Sequence, residues 1–384
     1  MRVTGDWLTS LDTQAVLGML TDAGHQAYAV GGCVRNALME APVADVDIAT
    51  SALPEQVVQL AENKGMKAVP TGLEHGTITV VSNGEPYEIT TFRKDIDTDG
   101  RHAVVAFSEN IEDDATRRDF TVNALYVEAN GTLHDPLCGL ADIKARRIRF
   151  IEDASQRIEE DYLRILRFFR FTAWYGDQSC GFDPDGLAAC ATHVDGIQAL
   201  SKERLGAEMK KLLAAPDPAP ALAAMAACGV LAKILPGADP QYIAPLVHLE
   251  QTAGIAPSWQ RRMIAMGGDG YVKRLRLSKA EGRQLKATKM AMQSGDTAKI
   301  MAYYFGAEAA LDAALIMAAT LSSLFENTQI QDIAEGAAVK FPIRGADLIG
   351  KFHAGPELGK ELTRLENLWV ASDFKASKKA LLQS

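Results

Sequence analysis

Cysteine is scarce in this 384-residue chain, and its spacing suits no metal or disulfide chemistry: Cys33, Cys138, Cys180, Cys190 and Cys228 form no CxxC pair. That argues against a zinc site and a disulfide framework, and it fits a reducing compartment. No apolar run reaches the roughly 20 residues of a membrane span. The opening MRVTGDWLTSLD has no apolar signal region, so a cytoplasmic protein without a membrane partner is expected. An excess of positive charge is also missing. Forty Lys and Arg against 49 Asp and Glu give a formal net charge of −9, which speaks against a generic nucleic-acid coat but allows a local basic surface. Residues 271–300 offer one: Lys273, Arg274, Arg276, Lys279, Arg283, Lys286, Lys289 and Lys299 stand against only Glu281 and Asp296. The plain alternative is a solvated helical face. No internal repeat of fixed period is present, and no His-Asp pair of a metal phosphohydrolase domain.

Strand signals crowd into the first hundred or so residues. Ala27 to Val30, Asp45 to Ala49, Thr77 to Val81 and Tyr87 to Phe92 are short β-rich runs, the last two flanking the hairpin signal Asn83-Gly84. Helical patterns fall at Asp12 to Ala23, Cys33 to Met39 and from Pro54 to about Gly65. The polar stretch Arg93 to Asp113 reads as a mobile loop. From about Ala154 onward Ala, Leu, Lys and Glu dominate, with breaks at Pro216-Asp217-Pro218, Pro236-Gly237, Ala253-Gly254 and Phe341-Pro342. The expected class is α+β: a head over 1–150 with a small mixed sheet flanked by helices, a helical neck over 151–215, and a helical body and tail over 216–384.

The chain is organised around YAVGGCVRNALMEAPVADVDIAT, residues 28–50. Asp45 and Asp47 are two apart on a strand and so point to one side. Close carboxylates repel unless a cation sits between them, and Mg²⁺ is the usual cation for oxygen ligands that also take substrate phosphates. Gly31-Gly32 before a helix lets backbone N–H groups approach a phosphate, and Arg35 in the first turn adds positive charge. Glu88, on the second hairpin strand, is either a third carboxylate beside the pair or a surface partner of Arg93. Arg117-Arg118-Asp119 with Asn123 is costly to bury unless paired or bound to a ligand. Asp161, Arg164, Arg167 and Arg170 recur every third residue, a helical stripe with surplus positive charge that suggests an anionic partner, while Leu163, Leu166, Phe169 and Trp174 face the core. Ser201 can cap a helix on which Arg204 and Glu208 fall at i,i+4.

In order and spacing, these segments resemble the nucleotidyltransferase superfamily signature. GGCVRN…DVDIAT, TGLEHGT, RRDFTVNA, EDYLRILRFFR and SKERLGAEMK resemble class II tRNA nucleotidyltransferases (CCA-adding enzymes) and the related bacterial poly(A) polymerases over about residues 25–215. The family usually has Asp where this chain has Asn36. The resemblance implies addition of C, C and A to the 3′ end of tRNA from CTP and ATP, with no DNA partner. Asp45 and Asp47 would hold two Mg²⁺, one for the RNA 3′-hydroxyl and one for the leaving group. Gly31, Gly32 and Arg35 would hold phosphates. Arg117, Arg118, Asp119 and Asn123 would bind nucleotide phosphates and sugar. Asp161 and Arg164 would read the base, with Arg167 and Arg170 bracing the pair or reaching phosphates, and the helical C-terminal region would grip the tRNA. The 93–113 loop would assist the change from C to A addition. Rival expectations are a poly(A) polymerase, an enzyme adding only CC or only A, and a non-catalytic RNA-binding protein.

Overall fold

Asn83 and Gly84 take φ of 48° and 96°, the left-handed pair that a two-residue hairpin turn needs, and the flanking strands pair from Ser82↔Glu85 inward. The computed structural model that shows this describes residues 1–73, 76–98, 103–177, 179–348 and 355–384. Its strands are β1 (Ala27–Val30), β2 (Asp47–Thr50), β3 (Lys67–Gly72), β4 (Thr77–Ser82), β5 (Glu85–Thr91), β6 (Arg93–Thr98), β7 (Ala103–Phe107), β8 (Tyr126–Val127) and β9 (Leu133–His134). Seven of them form a mixed sheet in the order β3-β4-β5-β2-β1-β8-β9, while β6 and β7 pair with each other.

The β2–β5 pair is parallel, as its crossover through the Pro54–Asn63 helix and the β3–β4 hairpin requires. Its register sets Asp47 beside Glu88, so the carboxylate-bearing end of β2 meets the middle of the hairpin. Val30, Ala49, Phe92, Ala124 and Tyr126 pack into a buried cluster beneath it. From Ala154 on, every element among the described residues is helical. The α+β class is therefore observed, and the helix breaks lie where Pro and Gly place them.

Three expectations need correction. Arg93 to Asp113 is not one loop: β6 and β7 form a ribbon, and the Ile111–Thr116 helix follows. A ribbon that pairs only with itself does not need the apolar alternation by which a sheet strand is recognised. The 99–102 tip of that ribbon, and Glu74-His75 of TGLEHGT, lie outside the described residues. Asp161 is not on the arginine helix: it sits at φ −154°, ψ 101° between the Ala154–Glu160 and Leu163–Tyr175 helices. There its Oδ1 accepts the Leu163 N–H at 3.1 Å, a turn preference that outcompetes helix continuation. Leu163, Leu166 and Phe169 are buried, but Trp174 is 40% exposed, with its indole N–H donated to the Lys211 carbonyl.

Contacts divide the chain into two units, Met1–Ala238 with Asp269–Arg276, and Asp239–Gly268 with Leu277–Ser384. Helices of the second unit bury four charges. Arg261 bonds Glu250 at 2.7 Å and Asp312 at 2.8 Å, and Arg262 bonds Glu250 at 2.6 Å. Asp312 Oδ2 has no partner, and burial pushes this carboxyl up to about 6 despite Arg261. The raised folded value means that Asp312 contributes most below its unfolded value, and this contribution is lost as pH rises to about 6. An amide in its place keeps an acceptor for Arg261 and does not titrate. The stability of Asp312→Asn relative to the parent should therefore improve as pH rises from about 4 to about 6, by on the order of 3 kcal/mol at most. Urea unfolding at several pH values checks this; a constant difference would refute it.

Candidate active site

A cleft of about 400 Å³ opens where β2 begins, lined by Asp47, Glu88 and Thr90 of the mixed sheet together with Arg93, Arg117, Arg118, Asp119, Asp161, Arg164 and Arg167. Segments far apart in sequence supply it: the parallel β2–β5 pair with Val30 and Arg93 beside it, the Ile111–Thr116 helix and the turn after it, and the start of the Leu163–Tyr175 helix with Asp161 just before it.

Asp47 is open to solvent through the cleft mouth, yet its carboxyl is held above the usual carboxylate range. Crowding by protein is the main cause. Glu88 adds to it, Arg118 opposes it, and Asp45 adds a smaller increment. The ladder begins at Asp47, opposite Val30 and Glu88, so Asp45 lies in the exposed lead-in rather than on the strand as expected. Its charge still reaches Asp47. Among the described residues, no ion pair involves Asp45, Asp47 or Glu88, whereas Asp114, Asp119 and Asp161 each pair with an arginine. The unneutralised acids are thus gathered where β2 begins, which is the donor set a hard divalent cation needs. No three His, Cys, Asp or Glu among the described residues form a complete metal cage, so Glu88 does not close a three-carboxylate cluster.

Gly31 turns at φ 74°, and a Cβ there would stand 3.4 Å from Arg118 Nη1. The glycine pair thus brings the backbone at the start of the Gly32–Leu38 helix close to a guanidinium. Arg118 bonds Asp114 at 2.9 and 3.1 Å and the Tyr126 hydroxyl at 3.1 Å. Burial is the largest influence and works against its charge, but Asp114 and the Tyr126 hydroxyl together outweigh it and hold the guanidinium protonated.

Asp119 is buried, and burial alone would raise its carboxyl. Arg167, at 2.5 and 2.7 Å, and the Asn123 amide, at 2.9 Å, hold it below the usual range instead. The expected surplus of positive charge on the arginine helix is absent, because acids from other segments balance it. Arg164 pairs with Glu160 at 2.6 Å, Arg167 with Asp119, and Arg170 with Glu208 at 2.5 Å. Glu208 and Arg204 do not pair with each other as their spacing suggested, since Arg204 reaches Asp161 at 2.6 Å. Ser201 does cap its helix.

The cleft therefore brings together Asp47, Glu88, Arg117, Arg118, Asp119, Asp161, Arg164 and Arg167. Its lining does not include Asp45, Gly31, Gly32, Arg35, Asn123 or Arg170. Arg35 is buried and faces Asn123, Asn36 and Tyr175, and Arg170 lies over the Phe171 ring. Asn36 accepts from Arg35 at 2.9 Å and donates to the Pro42 carbonyl at 2.8 Å, the second of which a carboxylate could not do. Sequence reasoning missed Asp114, Tyr126 and Tyr175. Asp114 sits four residues before Arg118, a helical ion-pair spacing that could have signalled it; the other two carry no motif.

The family described as "Poly A polymerase head domain" matches residues 27–149, and "Probable RNA and SrmB- binding site of polymerase A" matches residues 181–242. A CCA-adding enzyme of Streptococcus pyogenes is 36% identical over 91% of this chain and 90% of its own length. The human mitochondrial CCA tRNA nucleotidyltransferase 1 is 32% identical over 93% and 86%. Among solved structures, the Bacillus stearothermophilus CCA-adding enzyme in complex with CTP superposes with a TM-score of 0.72 at 28% identity, over 94% of this chain and 93% of that one. With relatives of 36% and 32% identity similar along almost their whole length, this chain belongs to the CCA-adding tRNA nucleotidyltransferase family.

Proposed function

We propose that the protein adds C, C and A to the 3′ end of tRNA from CTP and ATP without a nucleic-acid template. The observation that carries this reading is the pairing, within one cleft, of unneutralised carboxylates on the sheet with an arginine wall that holds a base-reading Asp–Arg pair. Asp45 and Asp47 would hold Mg²⁺, with Glu88 as a neighbouring negative group. Bound there, such ions supply Lewis-acid stabilisation, lowering the pKa of an attacking 3′-hydroxyl and neutralising a pyrophosphate leaving group.

The chain's own residues do the rest. Arg117 and Arg118 face the triphosphate, with Gly31 and Gly32 letting the backbone come close. Asp119 forms the wall beside the sugar, with Asn123 bonded to it from behind. Arg167 stands in that wall, while Arg35 and Arg170 brace it from behind.

Base choice follows from donor and acceptor counts. Asp161 spends one oxygen on the Leu163 N–H and shares the other with Arg204, which leaves lone pairs for an amino group. Arg164 spends Nη1 on Glu160 and the Arg157 carbonyl and one Nη2 hydrogen on the Arg117 carbonyl, leaving Nε and the other Nη2 hydrogen for a ring nitrogen. Cytosine and adenine both present an amino donor beside a ring acceptor. Uracil and guanine present the reverse order and would set like groups against like.

The division into a head over 1–150, a neck over 151–215 and a body and tail over 216–384 belongs to the same proposal, as does a cytoplasmic location; no helix among the described residues is long and apolar enough to cross a membrane. The tRNA body would lie on the C-terminal helices. Lys279, Arg283 and Lys286 are exposed and follow i, i+4, i+7 on the Lys279–Ser294 helix, whereas Lys299 pairs with Glu335 and Asp373 and Arg276 with Glu203. The test is incubation with tRNA that lacks its terminal CCA. Cytidine addition from CTP alone, and completion with a single A when ATP joins it, is expected. Long tails from ATP alone would favour poly(A) polymerase, and no incorporation would favour an RNA-binding protein.

A further inference from the structure

Arg35 is a buried cation whose hydrogen bonds all go to neutral groups. It is 6% exposed, and its acceptors are Asn123 Oδ1 at 2.5 Å, Asn36 Oδ1 at 2.9 Å and the Tyr175 hydroxyl at 2.9 Å. Its Nε has no partner. A guanidinium without a bonded carboxylate is costly to bury, so something else must hold it there. Tyr175 does so twice: its hydroxyl accepts a hydrogen bond, and its ring centroid lies 4.0 Å from the guanidinium carbon. Phe171, one turn earlier on the same helix, adds a second ring face at 5.0 Å. The held guanidinium fixes what lies next. Asn123 accepts from Arg35 through Oδ1 and donates through Nδ2 to Asp119 Oδ1. Only one amide orientation serves, because the flipped amide would aim N–H groups at the guanidinium and oxygen at the carboxylate. Asp119 in turn spends Oδ2 on Arg167, which stands in the cleft wall.

We propose that Tyr175, at the far end of the arginine helix, is a positioning residue for the nucleotide: through Arg35 it sets the orientation of Asn123 and Asp119 and thereby the place of Arg167. This rests on the cleft being the nucleotide site. Tyr175 touches neither base edge nor reacting atoms, so its loss weakens CTP and ATP binding by the same factor and leaves the chemical step alone.

The experiment compares Tyr175→Phe, Tyr175→Leu, Arg35→Gln and the Arg35→Gln/Tyr175→Leu double variant. Calorimetric Kd values for CTP and ATP are measured beside KM, kcat and melting temperature, using tRNA that lacks its CCA end. Tyr175→Phe, which keeps the ring, is expected to raise Kd and KM for both nucleotides by about 2- to 10-fold. Tyr175→Leu, which loses both contacts, should raise them by about 10-fold or more. In both variants kcat stays within about twofold of the parent, an energy difference below the size of one hydrogen bond. In the Arg35→Gln background, Tyr175→Leu should add almost nothing, because the two act as one unit. Unchanged Kd and KM in Tyr175→Leu would overturn the proposal, and so would effects of the two substitutions that multiply. Should Tyr175→Leu fail to fold, Tyr175→Phe decides by the same readouts. The failure modes separate: a parent protein that incorporates no nucleotide sinks the functional reading, while the Kd series still judges the role of Tyr175.

Discussion

Asp47→Ala should abolish nucleotide incorporation, lowering kcat by roughly 10³-fold or more, the size expected when several kcal/mol of metal-borne charge stabilisation disappears. The expectation follows from where this carboxylate sits. It is the first residue of the β2 ladder, fixed between Val30 and Glu88, and it makes no ion pair among the described residues. Its carboxyl is already pushed upward by crowding and by Glu88, and Arg118 opposes this only in part, so the folded protein carries unfavourable charge that a bound cation would relieve. Removing the side chain should leave the fold intact, and the arginine wall should still bind CTP, so Kd should move far less than kcat. Thermal melting should show a divalent-ion-dependent shift in the parent that the variant lacks. Retained incorporation at parental rate would exclude this carboxylate from the reaction.

Asp161→Ala should admit UTP. A site that hydrogen-bonds a base edge rejects the reversed pattern by factors of up to roughly 10⁴, because mismatched groups stay buried and unpaired. Without the Asp161 carboxylate, nothing faces the amino group of cytosine or the O4 of uracil, and discrimination should fall by about 100-fold or more, through faster use of UTP as well as slower use of CTP. The carboxylate is held at both oxygens, by the Leu163 N–H and by Arg204, so it is aimed before the nucleotide arrives. The check is single-nucleotide addition with CTP and UTP on the same tRNA. Undiminished rejection of UTP would remove Asp161 from base reading.

How much of this was legible in the sequence depended on whether the signal was local. The β4–β5 hairpin was readable because Asn83-Gly84 demands left-handed backbone and the flanking residues alternate. The two acids of β2 were readable as a pair by spacing, although the strand starts at the second of them, since ladder partners at Val30 and Glu88 are a tertiary fact. The arginines were recognised, but their state was not. Local spacing could show Asp161, and Glu160 four residues before Arg164, whereas the acids that neutralise Arg167 and Arg170, Asp119 and Glu208, come from distant segments. Arg35 illustrates the same limit. Its place after the glycine pair suggested a phosphate contact, yet aromatic residues about 140 positions later bury it behind the wall.

The most direct test is a crystal structure with CTP and Mn²⁺ in place of Mg²⁺. Anomalous scattering should place manganese between the carboxylates at the start of β2 and the nucleotide phosphates, with the cytosine edge against Asp161 and Arg164. A nucleotide bound with its phosphates away from Asp45 and Asp47, and no anomalous peak beside either residue, would contradict the account.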